Sequence, residues 1–240
     1  MSDRWDAAAR RVAEELTQID VAVYQEHGAD PLEPIFGAGP ALARLCLFGR
    51  DPGREEVRHR VPFIGAGGMK IRQGLGRARW GREPEGLDEA LAVGDAVYWA
   101  NTVPYKPVGN KAWAAGAVRA MAPLVAERLV EEWRGREVIT LGQVAFLWFG
   151  HQDRSTKAAL QAHWAREDRF ETSIEVALRS PSGAAASLRL SPLPHPSPLN
   201  AVWFNRFPGL LDRRLSEIAS SGWTLAQGEG RGGVSRCGAR

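Results

Sequence analysis

The sequence predicts an α/β fold, a mostly parallel sheet covered by helices on both faces, and three observations lead there. Short apolar runs at Ala43–Phe48, Asp95–Thr102 and Glu137–Leu141 alternate with longer stretches whose apolar residues recur at helical spacing. The first two runs end in polar residues set in rigid turns, Asp51 in Gly49-Arg50-Asp51-Pro52-Gly53 and Asn101 before a Pro-rich loop. The 240 residues, 44% apolar and 25% charged, suffice for one such domain with a sizeable core.

The elements follow in order. Asp3 to about Gln25 carries Ala7, Val12, Leu16, Ile19 and Val23 between charged residues, the pattern of an amphipathic helix packed on the domain. Ala29–Pro40 is rich in Pro and Gly and reads as a loop, and Ala43–Phe48 as the first strand. Gly65-Ala66-Gly67-Gly68 leads into a helix near Met69–Arg77, and Leu87–Ala92 forms a short helical piece before the second strand. Trp113–Arg134 is a long helix that Pro123 kinks or breaks. After the third strand, Gly142 opens a helix through Phe149. Ser173–Arg179 and Ala186–Leu190 flank a Ser-Pro-Ser-Gly turn, as a hairpin would. A rigid loop, Ser191 to Asn200, precedes a last helix from about Pro208 to Ala219. The single domain then covers residues 1–219, and Ser220–Arg240 is a flexible Gly-rich tail.

Composition narrows the function classes. No apolar run has the length of a membrane span, and no signal-peptide pattern opens the chain, so a cytoplasmic protein is expected. Two cysteines, Cys46 in a strand and Cys237 in the tail, make neither a disulfide framework nor a Cys-rich metal site. The net charge of +3 says little, but its distribution says more. Residues 57–82, 96–126 and 176–211 hold 13 of the 31 basic residues and none of the 28 acids. If these stretches share a face, that face suits phosphates; partly buried strands would avoid acids as well.

In an open α/β sheet, ligands bind at the carboxyl ends of the strands. Three such ends carry polar groups here: Asp51, Asn101, and His195 with Ser197. Alone, each is an ordinary turn or loop residue. Together, at successive strand ends, they describe a site.

These residues carry a resemblance to the uracil-DNA glycosylase superfamily. Gly49-Arg50-Asp51-Pro52-Gly53 resembles its water-activating motif, Pro62-Phe63-Ile64-Gly65 the aromatic segment that follows, and His195-Pro196-Ser197-Pro198-Leu199-Asn200 its second signature. Asn101 stands where the family places its base-reading Asn. The likeness spans about Ala43–Leu211 and implies a three-layer α/β/α sandwich around a mostly parallel four-stranded sheet. It implies an enzyme that extrudes the target base from DNA and hydrolyses its N-glycosidic bond. Asp51 would orient or deprotonate water and stabilise the sugar cation, and His195 would stabilise the departing uracil anion. Gly49, Arg50, Pro52 and Gly53 would line the base pocket. Phe63 would stack on the base, and Asn101 would pair with uracil O4 and N3–H. Leu199 would be the wedge left in the vacated stack, with Ser197 and Pro198 gripping the backbone. Lys106, Lys111 and Arg206 are candidates for further phosphate contacts.

Departures from the family matter too. Gly53 replaces the Tyr that one branch uses against the thymine methyl, leaving room beside C5. That keeps hypoxanthine, xanthine or mismatched thymine open as alternative substrates, beside a non-catalytic DNA-binding module. The iron–sulfur branches' four cysteines are absent, so no cofactor and no metal are expected. No Lys is placed for a Schiff base, so the product would be an abasic site and free uracil. A monomer is expected. His59 has no assigned role.

Overall fold

The structure is a computed structural model that describes residues 2–37, 39–198 and 200–220. The proposed wedge Leu199 and the tail beyond Ser220 lie outside these residues.

Five strands form one sheet: β1 (Leu45–Gly49), β2 (Tyr98–Asn101), β3 (Glu137–Leu141), β4 (Ile174–Arg179) and β5 (Ala185–Leu193), in the order β2-β1-β3-β5-β4. The first four of that order are parallel, as expected, and β4 adds an antiparallel edge through its hairpin with β5. The expected count of four is thus corrected to five. Along β1 the side chains alternate: Cys46 and Phe48 enter one apolar cluster, Leu45 and Leu47 another. A strand covered on both faces needs apolar residues throughout, and all five positions of β1 are buried.

The first face is covered by α6 (Ala115–Glu127), α7 (Gln143–Trp148) and α8 (Arg154–Trp164). Pro123 does not break α6, which ends in a π-helical turn at Arg128–Glu132. The second face is covered by α4 (Ala66–Trp80), α5 (Gly86–Gly94) and α10 (Phe207–Ser220), which bring Ile71, Leu75, Val93, Phe207 and Leu211 onto the sheet. The result is the expected three-layer sandwich. Because β1 is followed by helices on one face and β2 by a helix on the other, a crevice opens at the carboxyl end of β1.

The N-terminal segment is two helices rather than one, α1 (Ser2–Ala13) and α2 (Val21–Glu26). Between them Ile19 pairs with Pro107, so the chain leaves the helical path to cover the loop after β2. A third apolar cluster holds α1 and α2 against Val57, Val103, Tyr105, Trp113 and Met121. Two short helices were not expected: α3 (Arg54–His59) directly after the Asp51 turn, and α9 (Ala201–Phe204) after the second signature.

Candidate active site

The motif turn leaves β1 at Gly49, and side chains on that strand's flanks require this residue to be glycine. A Cβ there would come within 2.7 Å of both Asn101 Oδ1 and Phe63 Cζ. Gly49 lies opposite Asn101 in the parallel register, and Thr102 N–H and Val103 N–H donate to the carbonyls of Gly49 and Arg50 at 3.0 and 3.2 Å. The two motif ends are therefore one rigid backbone unit. Around it opens a cleft of about 600 Å³, whose walls include Asp51, Gly53, Phe63, His195 and Ser197.

Asp51 has 4% of its side chain exposed. Desolvation raises its pKa to about 6; the Arg50 guanidinium and Lys106 pull it down and the Glu56 carboxylate pushes it up. Arg50 donates from Nε and Nη2 to the Asp51 carboxylate, and from Nη2 to the Asn110 carbonyl at 2.9 Å. It thereby ties the Asp51 turn to the loop after β2. A carboxylate in this state is ionised at neutral pH yet weakly hydrated, which suits a group that faces a developing cation.

Glu56, on α3, is a residue that sequence reasoning did not single out. It is 9% exposed, accepts from Gly53 N–H at 2.9 Å through Oε2, and from Ile64 and Gly65 N–H at 3.0 and 2.8 Å through Oε1. The available signal was its place three residues after Gly53, the capping-box position. A Cβ on Gly53 would sit 2.8 Å from Oε2, so the carboxylate takes up part of the room that the missing side chain leaves.

Phe63 occupies the left-handed region, with φ 53°, and its ring lies 5.0 Å from that of Trp99 on β2. Asn101 is 6% exposed, and its Oδ1 has no hydrogen-bond partner among the described residues. Gly49 and Phe63 line the cleft; Asn101 lies beside them rather than on its open wall. A buried acceptor left unpaired costs about 1–3 kcal/mol, and a ligand N–H would remove that cost.

His195 follows β5 and stands exposed at the cleft rim, although enough protein surrounds its ring that desolvation, helped by Arg50, lowers its pKa. The neutral imidazole is the form favoured at neutral pH. Ser197 N–H donates to the His195 carbonyl at 2.9 Å, and Asn200 N–H to the Ser197 carbonyl at 2.9 Å, which folds the signature into a tight loop. Pro198 is exposed beside it.

Lys106 requires a correction. It is 3% exposed, and its Nζ donates to Asp20 Oδ2 at 2.7 Å and to the Pro107 carbonyl at 3.0 Å. The ammonium points into the protein, not toward a phosphate, and acts instead as a buried positive charge that favours the Asp51 carboxylate. Lys111 and Arg206 are exposed as expected, Arg206 lying 5.8 Å from the Trp203 ring. The acid-poor stretches also give less free charge than their sequence promised. Arg77 pairs with Asp212 and Glu83, Arg82 with Glu89, and Arg72 is buried. His59 lies 3.6 Å from Glu55 on the outer side of α3.

A family model described as the uracil DNA glycosylase superfamily matches residues 36–219. The chain belongs to that superfamily. Among curated proteins, none matches the chain significantly. Membership makes the chain one of a family of DNA glycosylases, hydrolases that act on DNA in repair. All the candidate site residues fall inside the matched segment, while α1 and α2 precede it. Among the described residues, no helix is long and apolar enough to cross a membrane.

Proposed function

We propose that the chain is a monofunctional uracil-DNA glycosylase. The observation that carries this reading is the buried Oδ1 of Asn101, unpartnered among the described residues, beside Phe63 and Gly49 and one strand away from Asp51. A flipped uracil stacked on Phe63 would give its N3–H to that oxygen and accept at O4 from the amide NH2. Cytosine has no N3–H and carries a donor at position 4, so the same amide would leave polar groups unpaired against it. As the C1′–N1 bond breaks, the Asp51 carboxylate stabilises the sugar cation and directs water to C1′, taking its proton. The bonding pair leaves with the base, and the neutral His195 imidazole donates a hydrogen bond to O2 of the uracil anion. The products are free uracil and an abasic site. Leu199 would fill the gap in the duplex, with Ser197, Pro198, Lys111 and Arg206 on the backbone.

A second reading keeps the same machinery for a different base, hypoxanthine, xanthine or mismatched thymine. Gly53 is the observation that favours it. The Glu56 carboxylate beside Gly53 works against it, because part of the extra room is already taken.

The test is strand cleavage of labelled single- and double-stranded oligonucleotides carrying one uracil, hypoxanthine, xanthine or G·T mismatch. Breaks at uracil that need alkali and are unaffected by EDTA are expected. Faster release of another base would establish the second reading, and tight binding without cleavage of any base would leave only a binding module.

The pH profile gives a further check. Asp51 must be ionised, and its pKa lies near 6, so kcat/KM should be level at pH 7–8 and fall about tenfold per unit below pH 6. Arg50 favours the ionised form, so Arg50→Ala should move that acid limb to higher pH. An unchanged limb would exclude Asp51 as the titrating group.

A further inference from the structure

The most unusual buried group outside the reacting atoms is Arg72, on α4. It is 2% exposed and makes no ion pair among the described residues. Instead its three donor nitrogens each bond a backbone carbonyl: Nε to Phe63 at 2.9 Å, Nη2 to Pro62 at 2.9 Å and Nη1 to Ala90 at 2.7 Å. Its guanidinium also lies 4.7 Å from the Trp99 ring, the ring against which Phe63 packs. Burying a cation that no carboxylate contacts directly is costly: desolvation lowers its pKa to about 10, against the opposing pull of the Asp95 and Glu56 carboxylates. For simple core packing, Leu or Met on this helix face would do better.

What the charge gains is control of one segment. Pro62 and Phe63 give their carbonyls to Arg72, while Ile64 and Gly65 give their N–H groups to Glu56. The backbone between them takes the left-handed turn at Phe63, a conformation that is strained for a bulky side chain and persists only where its surroundings fix it. Other positions are cleared for this arrangement. A Cβ on Gly94 would fall 2.1 Å from Arg72 Nη1, and one on Gly68 would fall 2.1 Å from the Phe63 carbonyl oxygen.

We infer that Arg72 is a positioning residue for base recognition: its guanidinium, together with the Glu56 carboxylate, holds the Pro62–Gly65 backbone in the conformation that presents the Phe63 ring to the extruded base. The inference rests on the proposed uracil chemistry for its kinetic consequence, and on the geometry alone for its structural one. Lys at this position would keep the charge but lose the planar fork that reaches three carbonyls.

The experiment uses the full chain and the variants Arg72→Met, Arg72→Lys and Gly94→Ala, the last of which pushes the guanidinium aside while leaving it in the protein. Amide hydrogen exchange over residues 62–65 and single-turnover excision from a single-stranded uracil oligonucleotide are measured. Each is also measured in a Phe63→Ala background. Arg72→Met should expose the Ile64 and Gly65 amides to exchange and slow excision about 100-fold, the order of loss for a reacting group displaced by about 1 Å. Arg72→Lys should restore part of the rate. In the Phe63→Ala background, Arg72→Met should cost no further rate, because it acts through the ring already removed. If Arg72→Met does not fold, Gly94→Ala carries the same expectations.

Unchanged exchange over residues 62–65 would overturn the inference, as would rate losses that multiply with Phe63→Ala. Asp51→Asn, run beside these, separates the two questions. Parent-like excision by that variant would sink the catalytic reading, while the exchange result would still decide the role of Arg72.

Discussion

Asp51→Asn is expected to lose about 10²–10⁴-fold in the rate of uracil excision, the range for removing a positioned general base, and to retain DNA affinity within a few-fold. Asn has the shape of the carboxylate but can neither take the proton of water nor oppose the charge that forms at C1′. Affinity should survive because the carboxylate sits 4% exposed below the cleft surface, where it repels phosphates little. The variant should also be more stable at pH 8. Desolvation moves the Asp51 pKa from 3.8 to about 6, so the folded protein holds this proton more tightly than the unfolded chain. Stability is then lost as pH rises from 4 through 6, by roughly 3 kcal/mol at most, and a neutral amide avoids that loss. Slower excision with a higher Tm is the combined signature. Parent-like turnover would end the mechanism, and lost activity with a lower Tm would point to a structural role for Asp51.

The parts of this site that could be read from sequence are those in which a polar residue ends an apolar run inside a rigid turn. Asp51, Asn101 and His195 all do so, and the structure brings Asp51 and His195 to one cleft, with Asn101 beside it. Glu56 and Arg72 could not be read this way. Both are buried charges bonded to backbone groups of a nearby loop, and neither interrupts a periodic pattern: Glu56 stands in the polar run Arg54–Glu56 and Arg72 among other basic residues. Lys106 was misplaced for the converse reason. A lysine in a Pro-rich loop is ordinarily solvated, and its partner Asp20 is distant in sequence, on the irregular segment between α1 and α2. The same segment hides the break in the N-terminal helix, because Leu16 and Ile19 keep helical spacing while the backbone turns to cover Val103 and Tyr105. Short helices escaped because the six residues of α3 and the four of α9 hold little periodicity. In α3 only Glu56 and Val57 are buried, and its signals are acids in the first turn and bases in the last. In α8, a longer helix also unforeseen, only Leu160 and His163 are buried, with Trp164 packed half-buried at its end, and the readable mark is Asp153 accepting from Thr156 N–H at 2.6 Å.

Asn101→Ala is expected to have the other large effect, this time on which base is chosen. The amide oxygen is buried and unpaired among the described residues, so on the proposed reading its hydrogen-bonding capacity serves the extruded base. Sites built around such a group reject analogues that cannot satisfy it by about 10⁴–10⁵-fold. Removing the amide should take away most of that discrimination by slowing uracil excision, not by speeding cytosine excision, because alanine offers cytosine nothing new. It should not destabilise the fold, since the acceptor it deletes makes no hydrogen bond among the described residues and Trp99 and Gly49 continue to fix the strand end. Excision of uracil and cytosine by parent and variant, in single-turnover form with matched oligonucleotides, measures this directly. If the variant keeps both the uracil rate and the preference over cytosine, the base is read elsewhere. The unpaired oxygen of Asn101 would then be a cost of pairing the ends of β1 and β2 at Gly49 and Thr102 rather than the group that selects uracil.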